Sequence, residues 1–354
     1  MKQFLKIFTK KSKKTFLQYI LGLILNPEKN TCTKIAKIFG ITHDRFYRIL
    51  WKTGLSIFIF SEVNLSTANY FSKSKGGWLI VDDTLMSKPF IKFLAGVYQV
   101  YNVVLGRPDR GLCLVVIAWS NGKVTIPLMF EFMYHKDLVG NDYKTKTEIA
   151  KAMILKCLGK IRFQHILFDG HYSTIEMLKF LSEMGILYIA KIAKNRKIKT
   201  KNGIFERMDI HPSLKLLKNR RSRRVQAHYH GMLLYFSSHK RKNKKNDYVF
   251  THIVSNMKLE PKKYIEIYDD RWAIEKLFRT IKQSLGFSHC QCIELERQKS
   301  HIYMVFIAYS FLEYEKYENS LECPEDALKL LQELKSNRSM SRINSFSENF
   351  QCFA

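Results

Sequence analysis

Proline and glycine are scarce. The 354 residues hold seven prolines and 16 glycines, which excludes collagen-like and low-complexity architectures. Acidic residues are also in short supply, 31 Asp and Glu against 59 Lys and Arg, leaving a net charge of +28. No apolar run reaches the ~20 residues that span a bilayer; the longest are Leu112–Trp119 and Ile302–Leu312. Met1–Lys14 is basic and lacks an apolar stretch of signal-peptide length. The seven cysteines are odd in number and scattered, and Cys290-Gln-Cys292 has the wrong spacing for a zinc knuckle. The expectation is a cytoplasmic chain with reduced thiols and no membrane partner. What is present in quantity is hydrophobic residue, 46%, enough for a large core spread over two or three domains. The charge calls for a polyanion, and nucleic acid is the first candidate.

The charge is unevenly placed. Residues 1–75 carry 14 Lys and Arg against 3 acids, and residues 190–255 carry 18 against 3, so +11 and +15 of the total sit in two segments. Charge kept for solubility would spread evenly. This division predicts a near-neutral catalytic core with two attachments that grip DNA.

The first segment reads as helices. Phe16, Leu17, Ile20, Leu21 and Ile24 form a helical stripe. A short helix then carries Ile35, Ala36 and Ile38, Gly40 permits a tight turn, and a second helix offers His43, Arg45 and Arg48 outward and Phe46, Ile49 and Leu50 inward. The arrangement resembles a helix-turn-helix, with Arg45 and Arg48 as DNA contacts.

From Gly77 the pattern changes to strands. Trp78–Val81 ends in Asp82-Asp83-Thr84, followed by Leu112–Trp119 and by Val124–Phe132, where Pro127 predicts an edge or bulge. A helix is expected over Lys144–Leu158, a strand over Ile166–Phe168 ending in Asp169, a helix over Thr174–Met184 and a strand over Leu187–Ala190. The fold class is α/β. Residues 191–255 read as a β-rich insertion with cationic hairpin loops, including Lys218, Arg220, Arg221, Arg223 and Arg224, all expected to contact DNA. Helices resume at Pro261 and run to about Leu285, then again over Arg297–Tyr317; the Ser/Asn-rich tail from Ser336 is expected to be mobile.

Three carboxylates carry the chemistry. Asp82 and Asp169 each close an apolar strand, where α/β sheets place ligands and hold side chains rigidly. Hard divalent cations take carboxylate oxygens and leave positions open for phosphate. On a helix through residues 268–282, Tyr268, Arg271, Glu275 and Lys282 fall within an arc of about 60°, beside an apolar stripe of Ile267, Ile274, Phe278, Ile281 and Leu285. A salt-bridged surface helix would not need a Tyr in that arc. Successive strand residues point to opposite faces, so one of Asp82 and Asp83 reaches the site; Asp83 remains the alternative. His171 either tunes that site or caps a helix. Trp272 reads as core, and Lys88 and Arg107 as DNA contacts or solvated surface.

The spacing Tyr268-x2-Arg271-x3-Glu275-x6-Lys282 resembles the YREK signature of DDE transposases of the insertion-sequence-four group. Asp82-Asp83-Thr84 matches that family's first Asp motif and Asp169-Gly-His-Tyr its second; the resemblance spans roughly Gly77 to Tyr317. It implies an RNase H-like mixed-sheet core in two parts (residues 76–190 and 256–335), interrupted by a basic β insertion (191–255), preceded by a helical DNA-binding domain (1–75) and followed by a mobile tail (336–354). It further implies two Mg²⁺ ions, or Mn²⁺ in their place, on Asp82, Asp169 and Glu275. Tyr268, Arg271 and Lys282 would hold DNA phosphates. The implied activity is cut-and-paste transposition on terminal inverted repeats and target DNA, by a homodimer on DNA associated with the nucleoid. The alternative is a catalytically inactive or domesticated DNA-binding derivative. Relatives stack an extruded base on a Trp of the insertion; here the tryptophans are Trp51, Trp78, Trp119 and Trp272, so Tyr229, Tyr235, Phe236, Tyr248 or Phe250 would have to substitute.

Overall fold

A computed structural model describes residues 10–26, 30–54, 57–73, 76–91, 94–102, 106–216, 221–243, 246–334 and 336–349. Lys218 and Arg220 lie outside the described residues. Among the described residues four helices come first, α1 (Lys10–Leu25), α2 (Cys32–Ile38), α3 (Asp44–Gly54) and α4 (Ile57–Ser72). The strands β1 (Gly77–Ser87), β2 (Tyr98–Asn102), β3 (Arg107–Ser120) and β4 (Thr125–Met133) follow. Then α5 (Lys146–Cys157), β5 (Phe163–Phe168), α6 (Ile175–Glu183) and β6 (Tyr188–Lys191) alternate. Next come β7 (Lys197–Thr200), β8 (Phe205–Arg207), β9 (Ser222–Tyr229), β10 (Met232–Lys242) and β11 (Tyr248–Ser255). The last described elements are α7 (Pro261–Asp269), α8 (Trp272–Gln283), α9 (Leu295–Glu318), α10 (Pro324–Glu333) and α11 (Ser336–Asn349).

The sheet is mixed. β4, β3 and β1 pair antiparallel, whereas β1, β5 and β6 pair parallel, each parallel step crossing over through a helix. Pro127 sits opposite Ala118 at a register shift in β4, which pairs with β3 at the margin of the sheet. Alternate residues of each central strand feed two cores. Ile80, Leu114 and Val116 face one, with α1–α3 and α7–α11. Leu79, Val81, Val115 and Ile117 face the other, with α5 and α6. This mixed α/β layering agrees with the fold class expected from the sequence.

Several expectations change. Residues 191–255 continue the main sheet: β11 pairs with β6, Ile253 opposite Lys191 and Val254 opposite Ala190, and β10, β9, β7 and β8 extend it further. An edge left by β6 would otherwise expose unpaired backbone groups. The amino-terminal helices share a core with α9: Phe16, Ile20, Phe46 and Leu50 pack with the apolar length of Ile302–Leu312. Tyr19 Oη lies 2.9 Å from Nδ1 of buried His301. Within the tail expected to be mobile, residues 336–349 form α11, with Ile343 and Phe346 buried on one side of it and Phe346 against Phe311 and Tyr314. Ser339 is also buried there, its hydroxyl donating to Leu331 O at 3.0 Å. Trp272, expected in the core, is 54% exposed.

Candidate active site

Register brings the first two acids together. The last parallel pair between β1 and β5 is Val81 with Phe168. Asp82 and Asp169 come next on their strands, which lie about 4.8 Å apart in such a sheet. β1 does not stop at the acids but continues to Ser87, with Asp82 opposite Val116 of β3. It is β5 that stops, and Asp169 then caps a single 3-10 turn, its Oδ1 accepting from Gly170 N at 2.6 Å. The helix expected over Thr174–Met184 follows this turn, with Thr174 as its N-cap. His171 is exposed in the turn.

Asp82 and Asp83 part company because of the two cores. Asp82 has the parity of Ile80 and faces α7 and α8; Asp83 has the parity of Val81 and faces α5. Asp83 Oδ2 accepts from Lys146 Nζ at 2.7 Å and its Oδ1 from Tyr172 Oη at 3.1 Å. Asp82 Oδ2 accepts from Arg271 Nη1 at 2.8 Å, and its Oδ1 from Asp83 N at 2.9 Å. Burial pushes the Asp82 carboxyl up to about 7, against the lowering pull of Arg271 and helped by the neighbouring charges of Asp83 and Asp169.

The single helix expected through residues 268–282 is broken, with Asp270 and Arg271 between α7 and α8. Both residues keep helical dihedrals, and the joint closes through tight bonds three residues back, Arg271 N to Tyr268 O at 3.0 Å and Ile274 N to Arg271 O at 3.2 Å. Neither Pro nor Gly marks the spot. Ile274, Phe278, Ile281 and Leu285 bury as the stripe predicts, which sets α8 on the sheet and turns Glu275 and Arg271 toward Asp82. Arg271 also donates from Nη2 to Glu275 Oε1. Tyr268 Oη reaches Asp169 Oδ1 at 3.5 Å. Partial desolvation lowers the Lys282 ammonium, partly offset by Asp82, Cys113 and Asp83. Direct contacts therefore link Asp82 and Glu275 through Arg271, and Asp169 to Tyr268, while Lys282 is exposed on the helix that carries Glu275.

Two family matches cover this geometry. Residues 124–311, more than half of the chain, match the transposase DDE domain, and residues 3–203 match the DDE superfamily endonuclease family. The chain belongs to the DDE transposase family. The first match contains Asp169 and Glu275, and the second contains Asp82 and Asp169. No curated protein matches this chain. Among the described residues, no helix is long and apolar enough to cross a membrane.

The donor set of this DDE-family site, three carboxylates with hard oxygens, suits a divalent cation in chemistry. Its arrangement does not. Among the described residues no three acid, His or Cys side chains stand close enough to hold a metal ion. Arg271 occupies the ground between Asp82 and Glu275.

The remaining basic residues divide by what they touch. Arg45 and Arg48 are exposed on α3, as expected, and Gly40 takes φ +59° in the turn before it. Arg221 is exposed. Arg223 donates to the carbonyls of Pro212 and Lys215, and Arg224 to the carbonyl of Leu259, so both brace the sheet margin. Arg241, not singled out in the sequence, pairs with Asp269 through two bonds of 2.9 and 2.6 Å, tying β10 to the helix that carries Tyr268. Of the aromatics that could replace the missing Trp, Tyr229 and Phe236 are buried, Tyr235 is half-buried, and Tyr248 and Phe250 are exposed.

Proposed function

We propose that the chain cleaves DNA at the ends of its own element and joins them to a target, as a cut-and-paste transposase of the insertion-sequence-four group. The observation that carries this reading is the convergence of Asp82, Asp169 and Glu275 from two neighbouring strands and one helix, linked through Arg271 and Tyr268. Asp82, Asp169 and Glu275 are the residues that would hold Mg²⁺. A divalent ion bound there would supply Lewis acidity to the phosphate and would lower the pKa of attacking water. Tyr268, Arg271 and Lys282 would orient the phosphates of the DNA end, Arg271 as a planar fork suited to two oxygens. Joining two ends calls for a homodimer on DNA. Arg45 and Arg48 on α3 would read the end, and the exposed rings of Tyr248 and Phe250 are the surfaces able to stack a displaced base.

The test is incubation of the full chain with a duplex carrying the inverted repeats that flank its coding region, with Mg²⁺ and with chelator. Metal-dependent nicks bearing 3′-hydroxyl ends are expected. Binding without any cleavage would instead favour the inactive, DNA-binding derivative.

DNA affinity should fall steeply with salt. Arg221→Ala is expected to reduce the salt slope by about one, read from binding isotherms across a salt series. Arg224→Ala is expected to leave that slope unchanged and to lower the melting temperature, because its guanidinium holds the Leu259 carbonyl.

A further inference from the structure

We infer that Arg271 is a resident counter-cation that competes with a divalent metal ion for Asp82 and Glu275, so that DNA phosphate and metal enter this site together. The inference rests on the reading of these two acids as metal-binding groups.

The geometry is specific. One guanidinium nitrogen binds Asp82 Oδ2 at 2.8 Å and the other binds Glu275 Oε1, so a single planar cation bridges acids from β1 and α8. The Arg271 side chain is 11% exposed, against 18% for Asp82 and 32% for Glu275. A contact this deep is little screened by salt. The bridge occupies the ground between the two acids, and no metal-sized grouping of three ligands exists among the described residues. The guanidinium is incompletely satisfied: its Nε is buried and has no partner among the described residues. A phosphate of bound DNA offers the same fork two oxygens in matching geometry. Arg271 sits at the joint between α7 and α8, with its guanidinium carbon 5.7 Å from the Tyr268 ring, itself beside Asp169. Moving the guanidinium onto phosphate would leave two carboxylates without their cation, which a divalent ion then replaces. Because linkage is reciprocal, each ligand must raise the other's affinity by one factor.

The experiment measures Mn²⁺ alone, by electron paramagnetic resonance of the free ion, against the full-length protein and its variants. Arg271→Gln is expected to bind Mn²⁺ on the order of 10-fold more tightly than wild type, within the usual span of coupled sites. Arg271→Lys, which keeps the charge and the fold but reaches only one carboxylate, is expected to bind Mn²⁺ a few-fold more tightly. Unchanged or weaker affinity in Arg271→Lys, or in a folded Arg271→Gln, overturns the competition. Reciprocally, Mn²⁺ should tighten duplex binding by wild type, and Arg271→Gln should lose that linkage; its retention also overturns the proposal. Asp82→Asn should abolish Mn²⁺ binding. Binding that survives Asp82→Asn overturns the metal reading itself rather than the competition alone.

Discussion

Asp82→Asn is expected to lower strand cleavage by about three orders of magnitude or more while leaving the fold intact. The size follows from the charge stabilisation a metal-held phosphate requires, several kcal/mol, at about tenfold in rate per 1.4 kcal/mol. Folding should survive because Arg271 keeps Glu275 as a carboxylate partner when Asp82 is neutralised. Asp83→Asn provides the contrast. Its carboxylate belongs to Lys146 and Tyr172 on the opposite face of the sheet. Cleavage within about tenfold of wild type is expected, with a lower melting temperature from the lost charged hydrogen bond, on the order of 1.5–3 kcal/mol. Initial rates on a labelled end and thermal melts of both variants decide the matter. Equal loss of cleavage in the two variants would remove the distinction between the faces.

The second large effect concerns Lys88. In the sequence it reads as a DNA contact or a solvated lysine beyond the first acid. In the fold it is 4% exposed, and its Nζ donates to the carbonyls of Ser288 at 3.0 Å and Cys290 at 2.5 Å. Gln298 braces the same loop through Cys290 O and Cys292 O. Lys88→Met keeps the stem but withdraws the charged donor from two carbonyls, one of which has Gln298 as a second partner. The expected cost is about 3 kcal/mol, with a melting temperature several degrees lower. The salt slope of DNA binding should stay that of wild type. A normal melt with a shallower slope would return Lys88 to the DNA-contact reading.

Much of the core was legible because its signals are local. Each of the strands around Ile80, Val116, Ile126, Leu167 and Ile189 stands where an apolar run stands, and Thr174 caps its helix as such residues do. The buried stripe of α8 followed from helical period. The break at Asp270–Arg271 was not legible, since neither residue disfavours a helix. Nor was the burial of α11, whose two deep apolar residues sit among serines and asparagines. Trp272 misled because a large ring defaults to the core, while its place on α8 turns it outward.

The sequence by itself determined which residues could form a carboxylate site, which segments carry the charge and which stripes must bury, because residue type and period are written in the chain. Tertiary structure alone decided that Asp82 and not Asp83 meets Arg271, since the face on which α8 packs is a long-range choice. It alone joined residues 191–255 to the main sheet, through backbone pairing that no side-chain pattern announces. It also divided the positive charge by partner. Arg224 and Arg241 are held by a carbonyl and a carboxylate, and Arg45, Arg48 and Arg221 are left facing solvent, because a cation's role depends on what the fold sets beside it.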